Sequence, residues 1–220
     1  MKIEQNWKTQ VIKDNPTYPF IVVDNWYTQN EEKAVWKELD LFSTVPKKHI
    51  PRAGNTIVAT NPDGSPKSNA FRFYIDSYYT DMGRTYSPIF NCMYKQKSDV
   101  FHNLINQCMP YGRSFLATNN DSTLLSYYEN NDHYDIHCDT FAWTILIWMV
   151  REPKRFTGGD FDFPEIDTEI KLKNNRMIAF PSCYNHRVSP LKFKDTNAEI
   201  GYGKYTITHF YFTTPKGEAV

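Results

Sequence analysis

The spacing of apolar positions along this chain changes character near Thr123. Before it, Ala34, Val35, Leu39 and Phe42 recur near the helical period, directly after Thr28-Gln29-Asn30-Glu31. In that tetrapeptide the Thr hydroxyl and the Glu carboxylate each satisfy a free amide of a first helical turn, so the pattern predicts a helix over about 29–42. The apolar run 19–23 reads as a strand, and so does the alternation of Phe71, Phe73 and Ile75. Arg72 and Tyr74, between those residues, are read as surface positions, with contact to a substrate as the alternative. Ser87-Pro88 supplies an N-cap followed by proline at the first helical position, and a second helical region runs from there towards Cys108 with room for a break. Residues 46–69 are rich in Pro, Gly, Asn, Ser and Lys and predict a loop long enough to act as a flap.

From Thr123 onward the runs are of strand length: 123–128, 143–150, 160–164, 169–172, 177–180 and 205–212. Turn chemistry separates them at Gly158-Gly159, Asn174-Asn175 and 201–203. The run 143–150 is apolar except for Thr144, the pattern of a central strand buried on both faces. The expected fold class is therefore α+β and mainly β, with flanking helices packed on an all-β sandwich or barrel core. Residues 1–220 are expected to form one domain, about 1–122 as a helical and strand support and about 123–214 as the core.

Composition narrows the functional classes. The chain carries 15 Tyr, 15 Phe and 5 Trp, far too much aromatic surface for a disordered protein. Its 25 basic and 25 acidic residues sum to zero, without the basic excess that displaces counterions from nucleic-acid phosphates. The stretch 142–150 is far shorter than the ~20 apolar residues a membrane helix needs. The first residues lack the apolar segment of a secretory signal. Cys92, Cys108, Cys138 and Cys183 show no CxxC spacing. A soluble cytoplasmic protein with reduced thiols, no membrane and no nucleic-acid partner is expected.

Candidate chemistry centres on His137 and Asp139. Residues i and i+2 of an extended chain face the same side, so this imidazole and carboxylate project together. His186, following the apolar run 177–180, is the candidate third ligand. Two His and one carboxylate leave half a coordination sphere open, which suits ferrous iron binding an oxo-acid and dioxygen. Lys204 supplies a point charge for a far carboxylate, with Thr208 on the same strand face. His133 and His137 are spaced i, i+4, but Tyr134 stands where a helical zinc peptidase needs Glu. His209, of opposite parity to Lys204, is read as packed or surface. His49 and His102 are read as solvated, and Cys138, alternating away from the ligands, as a small buried thiol.

These residues sit in four ordered motifs. The stretch 128–139, from Tyr128 through Tyr134 to His137-Cys138-Asp139, resembles the Y-x-x-G-x-x-Y-x-x-H-x-D signature of prolyl 4-hydroxylase-type Fe(II)/2-oxoglutarate dioxygenases. Gly158-Gly159-Asp160-Phe161-Asp162-Phe163-Pro164, Phe180-Pro181-Ser182 with His186, and Gly203-Lys204-Tyr205-Thr206-Ile207-Thr208 are similar to that family's G-G-x-x-x-F-P, F-P-S-x-x-x-H and G-[RK]-Y-S-[IL]-T segments. The resemblance covers roughly residues 123–212. It implies a double-stranded β-helix (jelly-roll) core and iron held by His137, Asp139 and His186. It also implies 2-oxoglutarate held by Lys204 with Tyr128 and Thr208, and Trp148 facing the co-substrate. Dioxygen, and ascorbate as an accessory, come with the same resemblance. Asn131 replaces the usual glycine, a residue that tolerates left-handed backbone. The long interval from His186 to Lys204 implies an excursion over 192–202.

What the resemblance implies about activity is hydroxylation of an unactivated C–H bond, on a prolyl residue of a peptide or protein, with release of succinate and carbon dioxide. The same chemistry on a free amino acid or other small molecule is the second reading. A non-catalytic jelly-roll binding protein is the reading of another class, and the intact ligand set speaks against it. Nucleic-acid demethylases of related type carry a further arginine six residues after the co-substrate's cation, where this chain has Phe210.

Overall fold

The computed structural model describes residues 7–44, 58–195 and 201–215. Strands β1 (Lys8–Ile12) and β2 (Phe20–Asp24) lead into helix α1 (Gln29–Thr44). The expected capping arrangement opens that helix: the Thr28 amide donates to Glu31 Oε2 at 2.7 Å and the Glu31 amide to Thr28 Oγ1 at 3.4 Å. Strand β3 (Phe71–Tyr74) precedes the short helices α2 (Pro88–Asn91), α3 (Asp99–Asn106) and α4 (Gly112–Leu116). The break in this region is a 3-10 stretch at Cys92–Lys97, after which Ser98 Oγ accepts from the Phe101 amide and starts α3.

The second half is built of strands: β4 (Asn120–Tyr128), β5 (Tyr134–His137), β6 (Trp143–Val150), β7 (Phe156–Thr157), β8 (Phe161–Phe163), β9 (Thr168–Ile170), β10 (Arg176–Pro181), β11 (His186–Val188), β12 (Lys192–Phe193) and β13 (Lys204–Phe212). The larger sheet has the order β1-β2-β10-β6-β13-β4-β3, and the smaller β5-β11-β8-β9. Every pairing is antiparallel, and β12 pairs with β7 as a separate ribbon. This is the mainly β, jelly-roll architecture the sequence led us to expect. Strands β1, β5, β7, β11 and β12 were not legible in the hydrophobic pattern, because segments of two to five residues owe their pairing to the partner strand. The expected flap lies partly outside the described residues, as do His49 and part of the 192–202 excursion.

Every residue of β6 is buried. Trp143, Ile145, Ile147 and Met149 face a core shared with Val35 and Leu39 of α1 and Phe101 and Ile105 of α3. Leu146, Trp148 and Val150 face a second core between the sheets, with Phe161, Phe163, Ile178, Phe180 and Val188. Burying each such aromatic or branched side chain contributes about 1.5–3 kcal/mol. Strand β13 obeys the same parity, so Lys204, Thr206, Thr208 and Phe210 share the face of Trp148. Among the described residues, no helix is long and apolar enough to cross a membrane.

Gly158 has φ +74°, and a Cβ there would lie 2.1 Å from the Pro190 carbonyl oxygen. Gly158→Ala is expected to cost about 2 kcal/mol or more, from left-handed strain and the backbone clash together. Urea unfolding measures it, and an unchanged midpoint would refute the account.

Candidate metal centre

His137 ends β5 and His186 opens β11, and the two stand opposite each other in the pairing of those strands. The Asp139 amide donates to the Ser182 carbonyl at 2.9 Å, which ties the segment after β5 to the segment before β11. One ligand atom from each of His137, Asp139 and His186 lies within 4.8 Å of the others. Nε2 of His137 is 3.8 Å from Asp139 Oδ1, and Nε2 of His186 is 3.7 Å from Oδ2. Residues 49 positions apart in the chain thus converge on one point, which neither strand's own pattern specifies.

Both rings are oriented for coordination. His137 Nδ1 lies 2.8 Å from the Asp135 carbonyl oxygen and His186 Nδ1 2.9 Å from that of Tyr184. Assigning the ring protons to Nδ1, as those acceptors require, leaves both Nε2 lone pairs facing the acidic side chain. The Tyr134 ring stacks on His137, with centroids 3.4 Å apart and planes within 15°. Burial, reinforced by the neighbouring His186, pushes the His137 imidazole down to about 2. It is neutral at any ordinary pH, the form in which an imidazole can coordinate.

Thr144, the one polar residue of β6, completes the support. Its hydroxyl donates to Asp139 Oδ2 at 2.7 Å and lies 2.8 Å from Ser182 Oγ, which therefore donates to it. One carboxylate oxygen is held by the protein. This pair was not singled out from sequence, although a lone threonine in an otherwise apolar strand was the available signal.

The centre opens into a cavity of about 380 Å³ lined by Arg72, Tyr128, Trp148, Thr206, Thr208 and Phe210, among others. Three of the residues expected on its floor are there: Tyr128, Trp148 and Thr208. Trp148 Nε1 and Thr206 Oγ1 are buried without a hydrogen-bond partner. Lys204 sits behind the floor, fully buried, with Nζ 4.9 Å from the Trp148 ring and 5.3 Å from that of Tyr128. Its protein acceptor is the Gly159 carbonyl, 2.8 Å away. Burial pulls the Lys204 ammonium down to about 7, and burial likewise pushes the Tyr128 phenol up, keeping it a donor. Unmet donors beside a buried ammonium call for an anion, so the donor set fits the carboxylate end of a dicarboxylate reaching from metal to floor.

Two expectations fail here. Cys138 is exposed, because alternation away from His137 at the end of an outer strand points it to solvent. Arg72 is only 2% exposed and Tyr74 is half-buried: β3 joins the edge of the larger sheet beside β4, and both residues line the cavity, as the substrate-side alternative had it. His209 is the packed alternative, buried with Thr123 Oγ1 2.9 Å from Nδ1. His133 stands apart from the cluster, half-buried, with Nδ1 3.2 Å from the Asn131 carbonyl oxygen. Asn131 itself has φ 67°, the left-handed conformation for which the sequence substitutes Asn for Gly.

Thr144→Val keeps the shape and removes the hydroxyl. It is expected to weaken metal binding at this site about tenfold or more, read by anaerobic Fe(II) titration. Equal affinities would show that the hydroxyl does not orient Asp139.

Comparison with known proteins agrees with this geometry. Residues 123–212 match the family model of the 2OG-Fe(II) oxygenase superfamily. No curated protein matches the chain. Among solved structures, a prolyl-4-hydroxylase of Pseudomonas putida is similar at 16% identity and TM-score 0.58, over 93% of this chain and 98% of that one. A 2OG-Fe(II) oxygenase family oxidoreductase of Burkholderia pseudomallei is similar at 11% identity and TM-score 0.51, over 88% and 84%. NgTET1 in complex with 5mC DNA is similar at 11% identity and TM-score 0.53, over 94% and 76%. At these identities the likeness is one of fold. What matches the 2OG-Fe(II) oxygenase superfamily model is the segment 123–212, and all three candidate ligands lie within it.

Proposed function

We propose that the protein is an Fe(II)- and 2-oxoglutarate-dependent dioxygenase that hydroxylates an unactivated C–H bond, with iron held by His137, Asp139 and His186. One observation carries the reading. A His-Asp-His cluster opens onto a cavity floor with two unsatisfied donors, Trp148 Nε1 and Thr206 Oγ1, and a buried lysine behind it. Two-histidine, one-carboxylate sets with open positions favour non-haem iron over the closed tetrahedral sets of structural zinc.

When bound, iron and 2-oxoglutarate supply the oxidation itself, the keto acid leaving as succinate and carbon dioxide while one oxygen atom goes to the substrate. The protein's part is to bind and orient. His137 and His186 present unprotonated Nε2 atoms, while Thr144 and Ser182 hold Asp139 in place. Lys204 meets the far carboxylate of 2-oxoglutarate, and Tyr128, Trp148 and Thr208 direct donors at it. Phe141 and Phe210, stacked with centroids 4.3 Å apart, give the cavity apolar wall away from that floor. No protein acid or base is required.

A prolyl residue of a peptide is the substrate the resemblance implies, and the prolyl-4-hydroxylase neighbour supports trying it first. A free amino acid or another small molecule is the other substrate class for the same chemistry. The zero formal charge supports leaving nucleic acid out of the proposal. Ascorbate enters only through the resemblance.

Anaerobically purified protein given Fe(II), 2-oxoglutarate and then oxygen is expected to release succinate, and His137→Ala to release none and to lose iron. Absence of succinate, together with unchanged iron binding in His137→Ala, would sink the proposal. Lys204→Ala is expected to raise the 2-oxoglutarate requirement at least tenfold with iron binding retained. The pH dependence has a definite sign. Lys204 is neutral above about pH 7 in the free protein and is charged when paired with carboxylate. Co-substrate binding therefore takes up a proton, and affinity falls as pH rises from 7 towards 9. Calorimetry of the Mn(II)-loaded protein with the unreactive analogue N-oxalylglycine reads this slope, and Lys204→Arg is expected to flatten it.

A further inference from the structure

Arg72 is the buried charge that the proposed chemistry leaves unused. It projects from β3 into the cavity at 2% exposure. Its Nη2 donates to two neutral hydroxyls, Ser68 Oγ at 2.8 Å and Tyr128 Oη at 3.0 Å, and its Nε is buried without a partner among the described residues. The guanidinium lies over the Tyr134 ring, 3.9 Å from its centroid, and that ring is the one stacked on His137. No carboxylate lies within ion-pair distance of Arg72 among the described residues. A buried guanidinium without an anion is costly, and proteins that retain one generally use it to hold an anion.

The co-substrate does not supply that anion. The two charges of iron and the one of Lys204 are matched by Asp139 and the two carboxylates of 2-oxoglutarate, which leaves Arg72 as net charge in the loaded pocket. Position agrees. Arg72 touches the co-substrate floor only through its bond to Tyr128 and shares a rung with Ser126, Thr206 and Trp148, three strand spacings from Trp148, about 14 Å at roughly 4.8 Å each. Through Tyr134 it is placed on the metal side of the cavity, beside the ligand His137.

We propose that Arg72 is a substrate-binding residue that takes a carboxylate of the molecule being hydroxylated, so that the substrate is a small free acid of the amino-acid type. This rests on the dioxygenase reading above and chooses between its two substrate classes. An internal residue of a peptide offers no carboxylate unless its own side chain is acidic. A guanidinium recognises a carboxylate through charge-assisted hydrogen bonds, and Nε–H is free to make one. The cavity size agrees, since about 380 Å³ lies at the small end of ligand pockets and must hold the co-substrate as well.

The test uses the full chain loaded with Mn(II) and N-oxalylglycine, whose two binding constants are measured first. L-proline and a set of other free L-amino acids are then titrated by calorimetry, each against its own carboxamide, beside an N-acetylated, C-amidated prolyl peptide. The best acids are expected to bind at least tenfold tighter than their amides. Arg72→Gln is expected to reduce that preference to within twofold while leaving the Mn(II) constant unchanged and the N-oxalylglycine constant within about threefold, the share of its one bond to Tyr128, and Arg72→Lys to keep part of the preference. The inference is overturned if amides or the blocked peptide bind as tightly as acids, if no acid binds, or if Arg72→Gln keeps the preference. A tenfold loss of N-oxalylglycine affinity in Arg72→Gln also overturns it, by assigning Arg72 to the co-substrate. Failure of the wild type to bind Mn(II) or N-oxalylglycine is a different result, read before any acid is added, and it removes the dioxygenase reading itself.

Discussion

Strands β6 and β13 have almost no solvent-facing side, and the remaining structure is organised around that constraint. A backbone buried on both faces must pair every amide along its edges, and here β6 lies between β10 and β13 while β13 lies between β6 and β4. Each side chain then enters one of two apolar regions, chosen by parity alone. Tyr205, Ile207 and Tyr211 join the core beneath the helices, while Lys204, Thr206, Thr208 and Phe210 look towards the smaller sheet. The helices seal one face and the smaller sheet half-covers the other, and the gap that it leaves is the cavity.

Within such a core, most buried polar groups meet a partner, and those left unmet around a void point to ligand atoms. His209 and Thr123 are buried on the helix side and satisfy each other. Glu38 accepts from the Ser87 hydroxyl and the Ile89 amide, and Lys95 pairs with Glu31 and donates to the Trp26 carbonyl. These groups have partners within the chain. Among the described residues, Trp148 Nε1, Thr206 Oγ1 and Arg72 Nε have none and line the cavity that also holds the candidate ligand cluster, while Trp26 Nε1, Tyr27 Oη and Gln96 Nε2 are unmet away from it. An unmet hydrogen bond costs about 1–3 kcal/mol, so a cluster of them around one void marks where ligand atoms belong.

Much of the site was legible because its chemistry is local. The spacing of His137 and Asp139 places them on one face of any extended segment, and the register of β13 relates Lys204 to Thr208 in the same way. The four motifs preserve the order in which the core strands occur. Arg72 was misread because its strand is four residues long and alternates without saying which neighbour covers it. Cys138 was misread for the converse reason: parity correctly sent it away from the ligands, but whether that side is core or solvent depends on what packs outside β5. Thr144 was visible as an anomaly, yet its purpose needed Ser182 and Asp139 beside it.

The amino-acid order by itself determined the period of the longer core strands, the capped start of α1, the left-handed turn at Asn131 and which residues are candidates for the metal and co-substrate sites. Those are properties of one to about ten consecutive residues, where sterics and hydrogen bonding act without help from elsewhere. Only the tertiary structure decided that β3 closes the sheet edge beside β4, that Arg72 reaches the stacked pair of Tyr134 and His137, and that it arrives there without a carboxylate. Pairing and desolvation are set by segments tens of residues apart. A charge therefore acquires its meaning only when the folded chain shows which counter-charges stand near it.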